Sequence, residues 1–204
     1  MKNAFFTNIR KEISSLLSKS RDSVHIAMAW FTCSELFNDL IDCLERGVKI
    51  ELILLDHPIN WQPYAPKFKE LIDKGGELRI YSPDNGQFLH HKFCIIDTSI
   101  VVTGSYNWTY YAESRNLENI VVSDDIEIGN KFQSEFQNLK NRLQVTANIP
   151  KLEWKDLEQM HDINFSELNY EIEKIAISQK LPKRTILKSS TVVEVVEKRF
   201  NGAV

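Results

Sequence analysis

The chain has 204 residues, 43% of them hydrophobic and 26% charged, an ordinary balance for a soluble protein with one main core and a modest extension. Its net charge of −3 means that an anionic substrate has to be drawn in by a local patch and not by the molecule as a whole. The three cysteines, Cys33, Cys43 and Cys94, fit neither a disulfide framework nor a paired zinc site. No run approaches a membrane span and no secretory signal opens the chain, so a reducing, cytoplasmic setting is expected.

Phe6, Ile9, Ile13, Leu16 and Leu17 recur at helical spacing, which predicts an amphipathic helix over 3–19. The apolar run Val24 to Phe31 reads as a strand. Ser34 can cap a second helix, with Leu36, Phe37, Leu40, Ile41 and Leu44 inward and Gly47 as its stop. A buried strand follows, ending at Asp56. The loop HPINWQPYAP leads to a third helix with Phe68, Leu71 and Ile72, ended by Gly75 and Gly76, and ELRIYS is a third strand. Strands separated by helices in this order argue for an α/β layer structure with parallel neighbours.

After the loop PDNGQF, LHHKFCIID and SIVVTGS are strand-like runs with almost no room between them, as in a hairpin. NLENIVVS is another strand. Residues 125–145 read as a helix with Ile128, Phe132, Phe136, Leu139 and Leu143 inward. From Pro150 the pattern turns polar and helix-prone, with Val192, Val193, Val196 and Phe200 on one helical face. The expected organisation is a catalytic domain over 1–149 and a helical C-terminal extension over 150–204, able to dock, to mediate assembly or to recruit the protein to a larger complex.

One stretch carries chemistry: His90, Lys92, Asp97, Gly104, Ser105 and Asn107, spaced H-x-K-x-x-x-x-D and then, six residues on, G-S-x-N. On a strand, His90 and Lys92 share a face. A histidine nucleophile beside a permanent cation suits attack on an anionic phosphodiester. A tight turn at Gly104 and Ser105 can bring donors toward non-bridging oxygens, and Asn107 adds an amide donor. Glu118, expected on the next strand, can accept the Nδ1 proton of His90 and fix the tautomer that presents Nε2 to phosphorus.

These residues, H-H-K-F-C-I-I-D and T-G-S-Y-N-W-T followed by N-L-E-N, resemble the phospholipase D-like superfamily, above all its one-motif endonucleases and the mitochondrial cardiolipin hydrolase group. The resemblance covers residues 3–145 and implies an α/β fold, a mixed β-sheet flanked by helices. It implies His90 as nucleophile, Lys92 and Asn107 as phosphate ligands, Ser105 as support of the phosphate pocket and Glu118 as the group that orients His90. Asp97 in such enzymes is similar to a structural hydrogen-bonding partner more than to a catalyst. No internal repeat of the motif occurs, yet a second histidine is needed to protonate the leaving oxygen. A homodimer with two His90 residues facing each other across one shared site is therefore expected.

The remaining aromatic and histidine residues are weighed against plainer roles. His91 points to the opposite strand face and reads as a packing or hydrogen-bonding histidine. His25, His57 and His161 are scattered, with no ligands at metal spacing, and neither a metal nor another cofactor is expected. Trp108 reads as core, Trp30 and Phe31 as packing beside the site, and Cys94 as a small buried hydrophobe. Tyr110 or Tyr111 can stack on a nucleobase, and Arg115 reads equally as a phosphate contact and as a solvated loop arginine. The leading expectation is a non-specific endonuclease on DNA or RNA. A phospholipase acting on a cardiolipin-like lipid and a non-enzymatic nucleic-acid-binding module are the alternatives.

Overall fold

In a computed structural model, the structure describes residues 2–82 and 87–145. The extension expected over 150–204 and most of the PDNGQF loop lie outside the described residues. The described elements are strand β1 (Lys2–Phe5), helix α1 (Ile9–Leu17), β2 (Ser23–Met28), α2 (Ser34–Glu45), β3 (Lys49–Leu55), a 3-10 turn (Pro58–Trp61) and α3 (Phe68–Asp73). They continue with β4 (Glu77–Tyr81), β5 (Lys92–Ile96), β6 (Ile100–Gly104), α4 (Tyr110–Ser114), β7 (Ile120–Ser123) and α5 (Ile126–Val145).

One seven-stranded sheet runs in the order β1-β7-β6-β5-β2-β3-β4. Strands β2, β3 and β4 are parallel, and the β5–β6 hairpin, β7 and β1 are added antiparallel. The expected parallel neighbours, the hairpin and the mixed sheet are all present. Both faces of the central strands are buried. On one, Ala27, Ile53, Phe93, Ile95 and Val101 pack with Phe136 and Leu139 of α5. Alternate residues Ile26, Met28, Leu52, Leu54, Cys94 and Val102 are equally buried on the other. Helices α2 and α3, the connections from β2 to β3 and from β3 to β4, pack against β3 and β4 respectively.

Three local expectations need correction. The helix expected over 3–19 begins only at Ile9, because Lys2–Phe5 adds an edge strand along β7, with Lys2 opposite Ser123. Asn8, left-handed at φ 54, separates the two, and Phe6 is exposed. Ser34 is the first residue of α2 and not its cap: Cys33 holds that position, and no side chain caps the helix. Ile128 is exposed, because the first turn of α5 brings Gly129 toward the Thr98 and Ser99 carbonyls of the β5–β6 turn. Gly47 does stop α2, in the left-handed conformation at φ 85 that glycine adopts without strain.

Buried polar groups fix the ends of the strands. Asn60 is fully buried beyond β3. It donates to the carbonyls of Ala29 (2.8 Å) and Leu55 (2.7 Å) and accepts from the Phe31 amide (2.7 Å). One side chain thus ties the C-terminal ends of β2 and β3 together, the ends that reach the site. Nothing in the loop sequence marked it. His25 is a buried structural residue, stacked on Phe136 and hydrogen-bonded through Nδ1 to Gln133. The three cysteines are buried free thiols, and burial pushes Cys94 up to about 12.

Candidate active site

The site lies where β2 and β5 run out together. Met28 pairs with Lys92, and beyond them the Ala29 amide still donates to the carbonyl of His91 (3.0 Å). His90 therefore sits just before β5 and not within it. Lys92 keeps the two groups together in another way: its ammonium reaches back to the carbonyl of His90 (2.8 Å). The His90 ring is exposed and meets Trp30 edge-on, centroids 6.0 Å apart. Trp30 also touches His57 (5.8 Å). A large aromatic surface thus limits the orientations open to the His90 imidazole.

Lys92 is half-buried, and burial lowers its pKa while the carboxylate of Glu118 opposes that shift. No carboxylate lies within ion-pair distance of Lys92 among the described residues. A partly desolvated ammonium without a paired anion is a ready phosphate ligand.

Glu118 precedes β7 by two residues and does not lie on the strand. Its carboxylate accepts from the Ser105 hydroxyl through one oxygen and from the Asn116 amide (2.9 Å) through the other. It holds Ser105 and not His90, contrary to the role expected of it within this chain. Ser105 in turn accepts from the Asn119 amide (3.1 Å) and donates its own amide to the Asn119 carbonyl (3.1 Å). Gly104 makes this closeness possible: a Cβ there would stand 2.1 Å from the Asn119 carbonyl oxygen, which no side chain tolerates.

Asn107 is buried, and its side-chain oxygen has no hydrogen-bond partner. Such a group is costly unless something in the working site satisfies it. The segment around Asn107 is held against the β2 extension: Phe31 pairs with Trp108, whose carbonyl accepts from the amides of Thr32 (2.8 Å) and Cys33 (2.9 Å). Trp108 is core, as expected, and packs edge-on against Phe31 (5.0 Å). Tyr110, Tyr111 and Arg115 stand exposed on and just after α4, with the Arg115 guanidinium 4.8 Å from the Tyr111 ring centre.

Asp97 lies at the opposite end of β5 from His90. Its carboxylate accepts from the backbone amides of Arg21 (3.0 and 3.1 Å), Asp22 (2.8 Å) and Ser23 (3.2 Å), while its own amide donates to the Ser23 carbonyl (2.8 Å). Five residues of extended strand separate it from the site, roughly 17 Å. Among the candidate catalytic residues it is the one the fold removes: it clamps the α1–β2 connection. His91 does what its strand face implied. Its Nε2 lies 3.3 Å from Glu135, and its ring tilts against Phe93. His57 is half-buried, accepts from the Ile59 amide (3.3 Å) at the head of the 3-10 turn, and is pushed down by burial.

Comparison with known proteins agrees with this fold. The family model described as "Cardiolipin synthase, PLD-like domain" matches residues 13–140. The chain belongs to the phospholipase D-like family. It is 31% identical over 124 residues to a mitochondrial cardiolipin hydrolase of Xenopus tropicalis, covering 61% of this chain and 57% of that protein. It is 30% identical over 132 residues to a phospholipase D of Rickettsia bellii, covering 65% and 64%. The chain thus spans under two thirds of the length of these curated relatives. Among solved structures, NucT from Helicobacter pylori is similar with a TM-score of 0.59 and 25% identity, covering 69% of this chain and 96% of that one. Nuc from Salmonella typhimurium, described as a phospholipase D family member, shares the fold with a TM-score of 0.62 and 24% identity, covering 69% and 94%.

Proposed function

We propose that the chain is a phosphodiesterase of the phospholipase D-like type, working as an endonuclease on DNA or RNA through a covalent phosphohistidine on His90. The observation that carries this reading is the pairing of an exposed imidazole with a half-buried, unpaired ammonium at one strand end. Lys92 and the Asn107 amide hold the non-bridging oxygens, and Nε2 of His90 attacks phosphorus. The P–N bond forms as the P–O bond to the leaving group breaks, and that oxygen takes up a proton. Water then attacks the phosphohistidine, gives up a proton, and the P–N bond breaks.

The proton donor in this reading is the partner subunit's His90. His57 also meets the Trp30 ring, but burial lowers its pKa and so disfavours the protonated form that a proton donor needs. Leu117, fully exposed and next to Glu118 in the chain, offers an apolar contact for a second copy. In such a dimer Glu118 is close enough to the shared site to act on Lys92, as its charge already does.

Nucleic acid is favoured because the described body spans 96% of the NucT chain, a bare core with the exposed Tyr110, Tyr111 and Arg115 at its rim. A lipid substrate is the second reading, favoured by the relatives named cardiolipin hydrolase and phospholipase D. No described helix is long and apolar enough to cross a membrane. Buried free thiols support a reducing compartment, the cytoplasm in this reading. No metal is called for in this mechanism, and among the described residues no group of three or more potential ligands is gathered. The test is incubation of the full chain, in excess EDTA, with plasmid, single-stranded DNA, RNA and cardiolipin micelles. Cleavage of nucleic acid is expected. Hydrolysis of cardiolipin alone would replace this reading by the lipid one.

A further inference from the structure

A cleft of about 400 Å³ opens beside His90, between the segment before β5, the end of β4 and the second half of α5. His90 itself lines it, together with Phe88, Tyr81, Leu139, Glu135 and Arg142. Leu139 is buried and gives the cleft an apolar surface, while Phe88 is 56% exposed. None of the wall residues other than His90 has a part in the mechanism above.

We propose that this cleft seats the nucleoside adjoining the scissile phosphate; the inference rests on the nucleic-acid reading of the same site. A phosphate held at His90 has its neighbouring nucleoside within reach of a cleft that His90 lines. Two aromatic rings, Phe88 and Tyr81, offer faces on which a base stacks, a contact that tolerates any sequence. Glu135 brings an acceptor to the same wall, which suits the amino edge of a base. The Glu135 carboxylate, set against His91 at 3.3 Å, disfavours a string of phosphates and favours an uncharged base. The cleft has room for one nucleoside.

The test compares kcat/KM of the full chain on a single-stranded oligonucleotide with kcat/KM on bis(p-nitrophenyl) phosphate, which has no nucleoside to seat. Phe88→Ala is expected to lower the oligonucleotide-to-small-diester ratio about tenfold, mainly through KM, with Phe88→Tyr restoring it. Exposure of Phe88 leaves the core intact in both variants. An unchanged ratio in a protein that cleaves the oligonucleotide overturns the subsite alone. Wild-type protein that hydrolyses the small diester or cardiolipin micelles but no oligonucleotide overturns the nucleic-acid reading and the subsite with it.

Discussion

His90→Ala is expected to lower kcat for phosphodiester hydrolysis by about 10⁴-fold or more, because the variant has no atom with which to form the covalent intermediate. The fold should not notice. His90 is exposed, lies outside the strand ladder and stands perpendicular to the Trp30 ring, so the thermal midpoint should stay within about 2 °C of wild type. The comparison with His57→Ala sharpens the result. His57 also touches Trp30 and caps the 3-10 turn, so its loss should cost mostly stability. If His57→Ala were as inactive as His90→Ala at a temperature where both are folded, the proton donor would have to be sought within one chain. Activity titrations with mixed wild-type and His90→Ala protein would then not show the loss that a shared site requires.

Asp97→Ala is expected to do the reverse. The carboxylate satisfies three backbone amides at the α1–β2 connection, and leaving them without partners costs about 3 kcal/mol in total. Asp97 is also left-handed at φ 51, where alanine adds about 1 kcal/mol of strain over aspartate. Asp97→Asn keeps an acceptor oxygen and tolerates that backbone, so it should lose less than half as much. Below its melting transition, folded Asp97→Ala should turn over substrate within about twofold of wild type. Denaturant unfolding and single-turnover rates check the two halves. A hundredfold loss of kcat with an unchanged midpoint would put Asp97 back among the catalytic groups, against its position at the far end of β5.

The contrast between these two residues shows how far the sequence could be read. Strand β5 and its hairpin partner were legible because apolar runs of strand length flank a short turn, and a spacing of two kept His90 and Lys92 together. What joins them, however, is a backbone contact from the Lys92 ammonium, since the strand begins two residues too late for a shared face to do it. The helical spacing of Phe6, Ile9 and Ile13 was real for α1, but spacing does not tell where the chain leaves the helix. Pairing with β7, more than a hundred positions away in sequence, decides that Lys2–Phe5 is a strand. Glu118 and Ser105 are both candidates from the motif, while their bond to each other follows only from Gly104 bringing the β6 end against Asn119.

Asn60, Phe88, Glu135 and Arg142 were invisible for a related reason. Each is unremarkable among its neighbours in sequence and acquires meaning only from contacts across the fold: Asn60 from the ends of β2 and β3, the other three from the approach of α5 to the segment before β5. The motif thus marked the proposed reacting centre, and the cleft proposed beside it emerged only in the tertiary structure.

The central claim is that hydrolysis passes through a phosphoryl group covalently bound to His90. Its most direct test is the stereochemical course at phosphorus, followed with a single-diastereomer phosphorothioate diester cleaved in ¹⁸O water. Two successive in-line displacements, first by His90 and then by water, predict overall retention of configuration. Overall inversion would mean that water attacks phosphorus directly, and would contradict the phosphohistidine.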